Sequence, residues 1–167
     1  MNATTTHDIR GVLISVSAGK VLLPNASVAE VITYSDPDPV PGAPPWLLGR
    51  VRWRGWQLPI VSYSRFVGWS QETAALGAKV AVLKAVGNHP KMPYFAVLTQ
   101  GFPRLVTIAE SALKESGDLD ADLPDGVYSE AIFNDDDVVV PDLPSVEAKI
   151  VDVLLRADAA RADVATA

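Results

Sequence analysis

Residues 44–63, PPWLLGRVRWRGWQLPIVSY, leave their backbone few options. Two runs of alternating apolar and polar side chains meet at Arg54-Gly55, the pattern of two antiparallel strands joined by a tight turn. A period of two places Leu47, Val51 and Trp53 on one face of the first run and Arg50, Arg52 and Arg54 on the other. In the second run Leu58 and Ile60 point one way, Val61 and Tyr63 the other. Pro59 has no N–H to give to a ladder, which predicts an edge position or a bulge. The hairpin therefore buries one face and shows three guanidinium groups on the other. It holds no nucleophile and no paired acid and base, so it suits contact rather than chemistry.

The same alternation recurs along the chain. Arg10–Ser17 carries Val12, Ile14 and Val16 on one face and Leu13 and Ser15 on the other, then turns at Ser17–Lys20 and returns through Val21–Leu23. Gly19-Lys20 lacks the glycine spacing and the following Ser or Thr of a phosphate loop. Pro24-Asn25 opens a short helical turn before an extended Val28–Tyr34. Ser35–Pro45 contains Pro37, Pro39, Pro41, Pro44 and Pro45, which predicts a stiff crossover. Lys79–Val86 and Tyr94–Thr99 read as a second hairpin, and Phe102–Val106 as another strand. Thr107–Lys114 reads as a short helix with Thr107 at its N-cap and Glu110 three residues on. Asn134–Asp137 reads as a hairpin turn between Val127–Phe133 and Val138–Val140.

A helical period emerges only near the end. Val146, Ile150, Val153 and Leu154 form one stripe, predicting a helix over 145–157 capped by Ser145. Eight to ten short strands with one substantial helix argue for a mainly β fold of small closed barrels. The expected organisation is a domain over 10–155 whose halves, 10–77 and 78–143, are each the size of an SH3-like barrel. Residues 1–9 and 158–167 are expected to be flexible tails.

Composition narrows the function. With no cysteine and two isolated histidines, His7 and His89, disulfides, thiolate chemistry and a zinc site are not expected. Asp118, Asp120 and Asp122 have the first spacings of a calcium loop, but Leu123 stands where glycine is needed and Ser129 where the bidentate Glu should be. No catalytic triad, metal set or cofactor motif is legible, and an enzyme is not expected. No signal peptide or bilayer-crossing run is recognised, which points to the cytoplasm. Charge is uneven: residues 1–114 carry a net +5 and residues 115–167 a net −11. Either the acidic half folds back on the basic hairpin or the surface is bipolar and meets two partners.

Residues 41–61, PGAPPWLLGRVRWRGWQLPIV, resemble the signature of CheW-like coupling domains. Gly49, Arg54, Gly55 and Pro59 match its pattern, whereas Arg52 and Ser62 stand where the family usually has Asn and Asp. VAEVITY resembles the family's V-x-E-hydrophobic element, and Gln100 replaces the Asp of its V-D-G element. The resemblance extends from about Gly11 to Ile150. It implies two five-stranded SH3-like barrels around a shared core, and an adaptor without an active site. One surface would bind the regulatory domain of a CheA-type histidine kinase, another the cytoplasmic tip of a methyl-accepting chemoreceptor in membrane-associated arrays. The contact residues carried over are Val28, Glu30, Gly49, Arg52, Arg54 and Gly55. VLLPNASVAE, PPWLLG and KVAVLKAV are similar to accessory CheW-like proteins of the chemosensory pathway that controls type IV pili, which implies twitching motility as the output. The alternative from the residues alone is a nucleic-acid-binding barrel using Arg50, Arg52 and Arg54 with Trp53 and Trp56.

Overall fold

The structure, a computed structural model, describes residues 8–87, 89–115 and 122–165. The alternating segments form eleven strands: β1 (Ile9–Val16), β2 (Gly19–Pro24), β3 (Val28–Thr33), β4 (Leu47–Trp53), β5 (Trp56–Val61), β6 (Lys79–Lys84), β7 (Tyr94–Thr99), β8 (Arg104–Ile108), β9 (Leu113–Glu115), β10 (Val127–Phe133) and β11 (Asp136–Pro141). Two α-helices complete the fold, α1 (Tyr63–Val67) and α2 (Leu143–Ala165). The strands make two sheets, in the orders β8-β1-β2-β11-β10-β9 and β3-β6-β7-β5-β4. Most pairs are antiparallel. Short parallel contacts, Val21 with Val139 and Ile60–Val61 with Ala96–Val97, join hairpins that are distant in sequence.

Three apolar clusters explain the layering. Val51, Trp53, Leu58, Ile60, Val80 and Leu98 fill the inside of the five-stranded sheet. Leu13, Leu22, Ile108, Phe133 and Val138 do the same for the six-stranded sheet. The largest cluster lies between the sheets, where Ile14, Leu23, Leu83 and Phe95 meet Val146 and Ile150 of α2. Strands such as β6 are buried on both faces, with Val80 and Val82 in one cluster and Ala81 and Leu83 in the other.

This arrangement corrects several expectations. The sheets do not follow the chain halves at 77/78: β1 and β2 belong with β8–β11, and β6 and β7 with β3–β5. Periodicity identifies strands but not their long-range partners. One sheet has six strands and not five, because Thr107–Lys114 is not a helix. Ile108 is buried in β8, and only Glu110–Ala112 makes a 3-10 turn before β9. Leu47 leaves the face of Val51 and Trp53, because a bulge between Leu47 and Gly49 turns it into the central cluster. Pro59 is on a strand with neighbours on both sides, opposite Arg50, and β5 pairs with β7 only at Ile60 and Val61.

Helix α2 begins at Leu143 and its cap is Asp142, whose Oδ1 accepts the Ser145 N–H at 3.3 Å. It continues through residues 158–165, which were expected to be a frayed tail. No helix among the described residues is long and apolar enough to cross a membrane. Of the aspartates in the calcium-like spacing, Asp118 and Asp120 lie outside the described residues, as do residues 1–7 of the expected N-terminal tail. Among the described residues no cluster of His, Asp and Glu has a metal-holding arrangement.

Candidate docking site

The turn of the β4–β5 hairpin is two residues long, with Arg54 at φ 49° and Gly55 at φ 82°. Both angles are positive, as a tight hairpin turn with the right-handed strand twist requires. Glycine adopts this freely; Arg54 does so at a cost, because its Cβ crowds the backbone there. The Arg54 side chain that results is 68% exposed, and its Nη2 donates to Glu30 Oε1 at 2.6 Å. Glu30 Oε2 accepts from Trp53 Nε1 at 3.1 Å. Glu30 is on β3 and Trp53 on β4, the two edge strands of the five-stranded sheet. One carboxylate thus closes the barrel with side-chain bonds across its open seam.

Of the six residues carried over, the structure joins Glu30 directly to Arg54. Val28 is half-buried at the start of β3 and packs against the central cluster. Arg52 is exposed on β4 opposite Gln57, and Gly55 is exposed at the turn. Gly49 is buried, so it presents no surface of its own. At φ 146° it lets the Pro37–Asp38 segment approach, and a Cβ there would collide with the Asp38 carbonyl. Asp38 and Arg50 exchange backbone bonds at 2.9 and 2.8 Å, which seats the proline-rich crossover against β4.

The three arginines of the hairpin fare differently. Arg54 pairs with Glu30, Arg50 meets Asp158 of α2 at 3.8 Å, and Arg52 stays exposed. The two halves of the chain also meet at Lys20–Asp136, 3.2 Å apart. The charge asymmetry is therefore only partly folded inward. For the nucleic-acid reading the geometry is poor: Trp53 is buried, lies edge-on to Tyr94, and spends its N–H on Glu30. Only Trp56 keeps an exposed ring beside the arginines.

Sequence reasoning missed a second carboxylate. Glu72, in the connection before β6, is 2% exposed and accepts from Ser62 Oγ at 2.6 Å, Ser17 N at 2.7 Å and Gln100 Nε2 at 2.9 Å. Ser62 also caps α1, accepting the Arg65 N–H at 3.2 Å. Arg65 in turn donates to the Glu72 and Pro45 carbonyls. This knot ties the β1–β2 turn, the end of β5 and the end of β7 together. Glu147 of α2, 3% exposed, holds the N–H groups of Val86 and Gly87 at 2.9–3.0 Å in the same manner. Tyr63 donates to the Gly126 carbonyl at 2.7 Å, and burial, with the nearby Asp142 charge, raises its pKa well above the ordinary phenol value. No spacing rule finds these groups, because their partners lie 10 to 63 residues away.

The two sheets present paired charges and exposed guanidiniums on their surface. The CheW-like domain family matches residues 10–149, and the chain belongs to that family. Among solved structures it is similar to the scaffolding protein TtCheW from Thermoanaerobacter tengcongensis. The TM-score is 0.68 at 14% identity, over 86% of this chain and 90% of that one. A search of curated proteins finds no match. The two places where the family pattern usually has Asp, now Ser62 and Gln100, both donate to Glu72, so the departures are coupled through one carboxylate.

Proposed function

We propose that this chain is an adaptor that couples methyl-accepting chemoreceptors to a CheA-type histidine kinase. The observation that carries the reading is the CheW-like match over residues 10–149, with Glu30 and Arg54 of its signature elements joined on an exposed seam. In this reading Val28, Glu30, Arg52, Arg54 and Gly55 form the contact surface for a receptor tip or kinase domain, and Gly49 shapes the strand beneath it. The Arg54 fork can leave Glu30 for a carboxylate or carbonyl of the partner, since both groups are already partly hydrated. Contact between small barrels of this kind is modest in area, fast and reversible. The adaptor works in the cytoplasm, recruited to membrane-associated receptor arrays.

The similarity of VLLPNASVAE, PPWLLG and KVAVLKAV to accessory CheW-like proteins supports type IV pilus-driven twitching as the output. Deleting the gene and scoring twitching and flagellar swimming separately tests that assignment. Loss of twitching alone is expected, and loss of swimming alone would reverse it. Coupling itself is tested by reconstituting receptor, kinase and this chain. Kinase activation that requires the chain supports the reading, and activation indifferent to it removes it.

A further inference from the structure

The C-terminal half of α2 continues past residue 149, where the family match stops. It forms one wall of a groove of about 230 Å³, whose other walls are the outer face of the β4–β5 hairpin and the loop before β7. Its floor is aliphatic, made by Met92, Val151, Leu154 and the 52%-exposed Leu155. Its rim carries Arg50, His89 and Lys91 against a single carboxylate, Asp158, which is itself 52% exposed and 3.8 Å from Arg50. Asp152 and Arg156 of the same helix pair with each other at 3.1 Å and take no part in the lining.

These features select an occupant. Pockets for metabolites and cofactors usually measure several hundred Å³, so this one holds one or two side chains rather than a whole small molecule. The lining has no Phe, Tyr or Trp ring on which a base could stack. Apolar floor and basic rim together fit an apolar side chain flanked by carboxylates. Asp158 stands where such a carboxylate would go, but a pair this long between partly hydrated groups is weak and easily exchanged.

We propose that this groove binds a short acidic segment of a partner protein, one large apolar residue bracketed by Asp or Glu, which displaces Asp158 from Arg50. The site goes beyond the coupling function and is separate from Glu30 and Arg54. Its wall of α2 residues lies past residue 149, beyond the stretch that the family match covers.

The test pans a displayed library of random dodecapeptides on the full chain, with counter-selection on the Leu155→Lys/Lys91→Glu variant. Enriched peptides are then synthesised and titrated by fluorescence anisotropy. The expected result is a recurring apolar residue next to Asp or Glu. Affinity should fall at least about tenfold in Lys91→Glu and in Leu155→Lys, both exposed positions. Asp158→Asn should strengthen binding by about two- to fivefold, because it frees Arg50. Arg54→Asn should leave binding unchanged, which separates this site from the coupling surface. The proposal is overturned by enrichment of basic or uncharged peptides, by peptides that bind the variants as well as the parent, or by no enrichment. It is likewise overturned if single-stranded DNA protects the same residues more strongly than any peptide.

Discussion

Glu30 and Glu72 are both single carboxylates that tie distant segments together, yet they do so in opposite surroundings. Glu30 is about one-third exposed and is answered by a cation, the 68%-exposed Arg54, with the Trp53 N–H as second donor. Glu72 is almost wholly buried and is answered by a hydroxyl, an amide and a backbone N–H, all fixed dipoles. The first pair can dissolve into water and re-form with a partner at little cost, since exposed ion pairs contribute only about 0–1 kcal/mol. The second cannot, because each donor stranded in the interior costs about 1–3 kcal/mol. The same side chain thus serves exchange at the surface and rigidity inside, and solvent access decides which.

That contrast breaks most easily at the buried end. Glu72→Ala should destabilise the fold by about 3–4 kcal/mol, read from urea unfolding, because it strands Ser17 N, Ser62 Oγ and Gln100 Nε2 together. A loss below about 1 kcal/mol would mean that water satisfies these groups and the knot is not structural. Glu147→Ala should cost about 1–3 kcal/mol by freeing the Val86 and Gly87 N–H groups. Hydrogen exchange should quicken at those two amides before it does in α2 or β6.

Much of this architecture was legible beforehand, for physical reasons that differ by element. The β4–β5 hairpin was readable because a period of two and a glycine at the turn act within a few residues of each other. Its bulge was not, since the extra residue at Leu48 shows only when the partner strand is known. The stripe Val146, Ile150, Val153 and Leu154 announced α2, but residues 158–165 continue the helix without that stripe. Asp142, not Ser145, caps it, because the cap is fixed by where Leu143 and Pro144 enter the first turn. Within the candidate site, Glu30 and Arg54 were named from a resemblance, while their bond depends on barrel closure, which brings β3 beside β4. Glu72 carried no signal at all, as its donors come from three separate connections.

Tyr63 extends the contrast to a neutral acid. Its raised pKa means that the folded state binds the phenolic proton more tightly than the unfolded chain does. The associated stability is whole below pH about 10, the unfolded value, and is lost progressively as pH rises above it. Thermal melts of the parent should therefore fall between pH 9 and 11 more steeply than those of Tyr63→Phe. The variant itself loses about 1 kcal/mol at neutral pH with the bond to the Gly126 carbonyl. Parallel pH profiles would show that Tyr63 is not the group responsible.

The smallest effect on stability is expected at the seam. Glu30→Gln should shift unfolding by no more than about 1 kcal/mol. Arg54 requires a careful choice of variant, since Ala would strain a turn held at positive φ. Asn followed by Gly55 suits this turn and removes the guanidinium with its contacts to Glu30 and the Trp53 ring.

The affinity of the Arg54→Asn chain for the cytoplasmic tip of a receptor, measured by calorimetry beside its melting temperature, separates docking from barrel closure most directly. An unchanged melting temperature with binding weakened at least about tenfold is the predicted outcome, because a charge-assisted contact to the partner is removed while the turn is kept. Undiminished affinity at an unchanged melting temperature would contradict it, and would leave the Glu30–Arg54 seam as barrel closure alone.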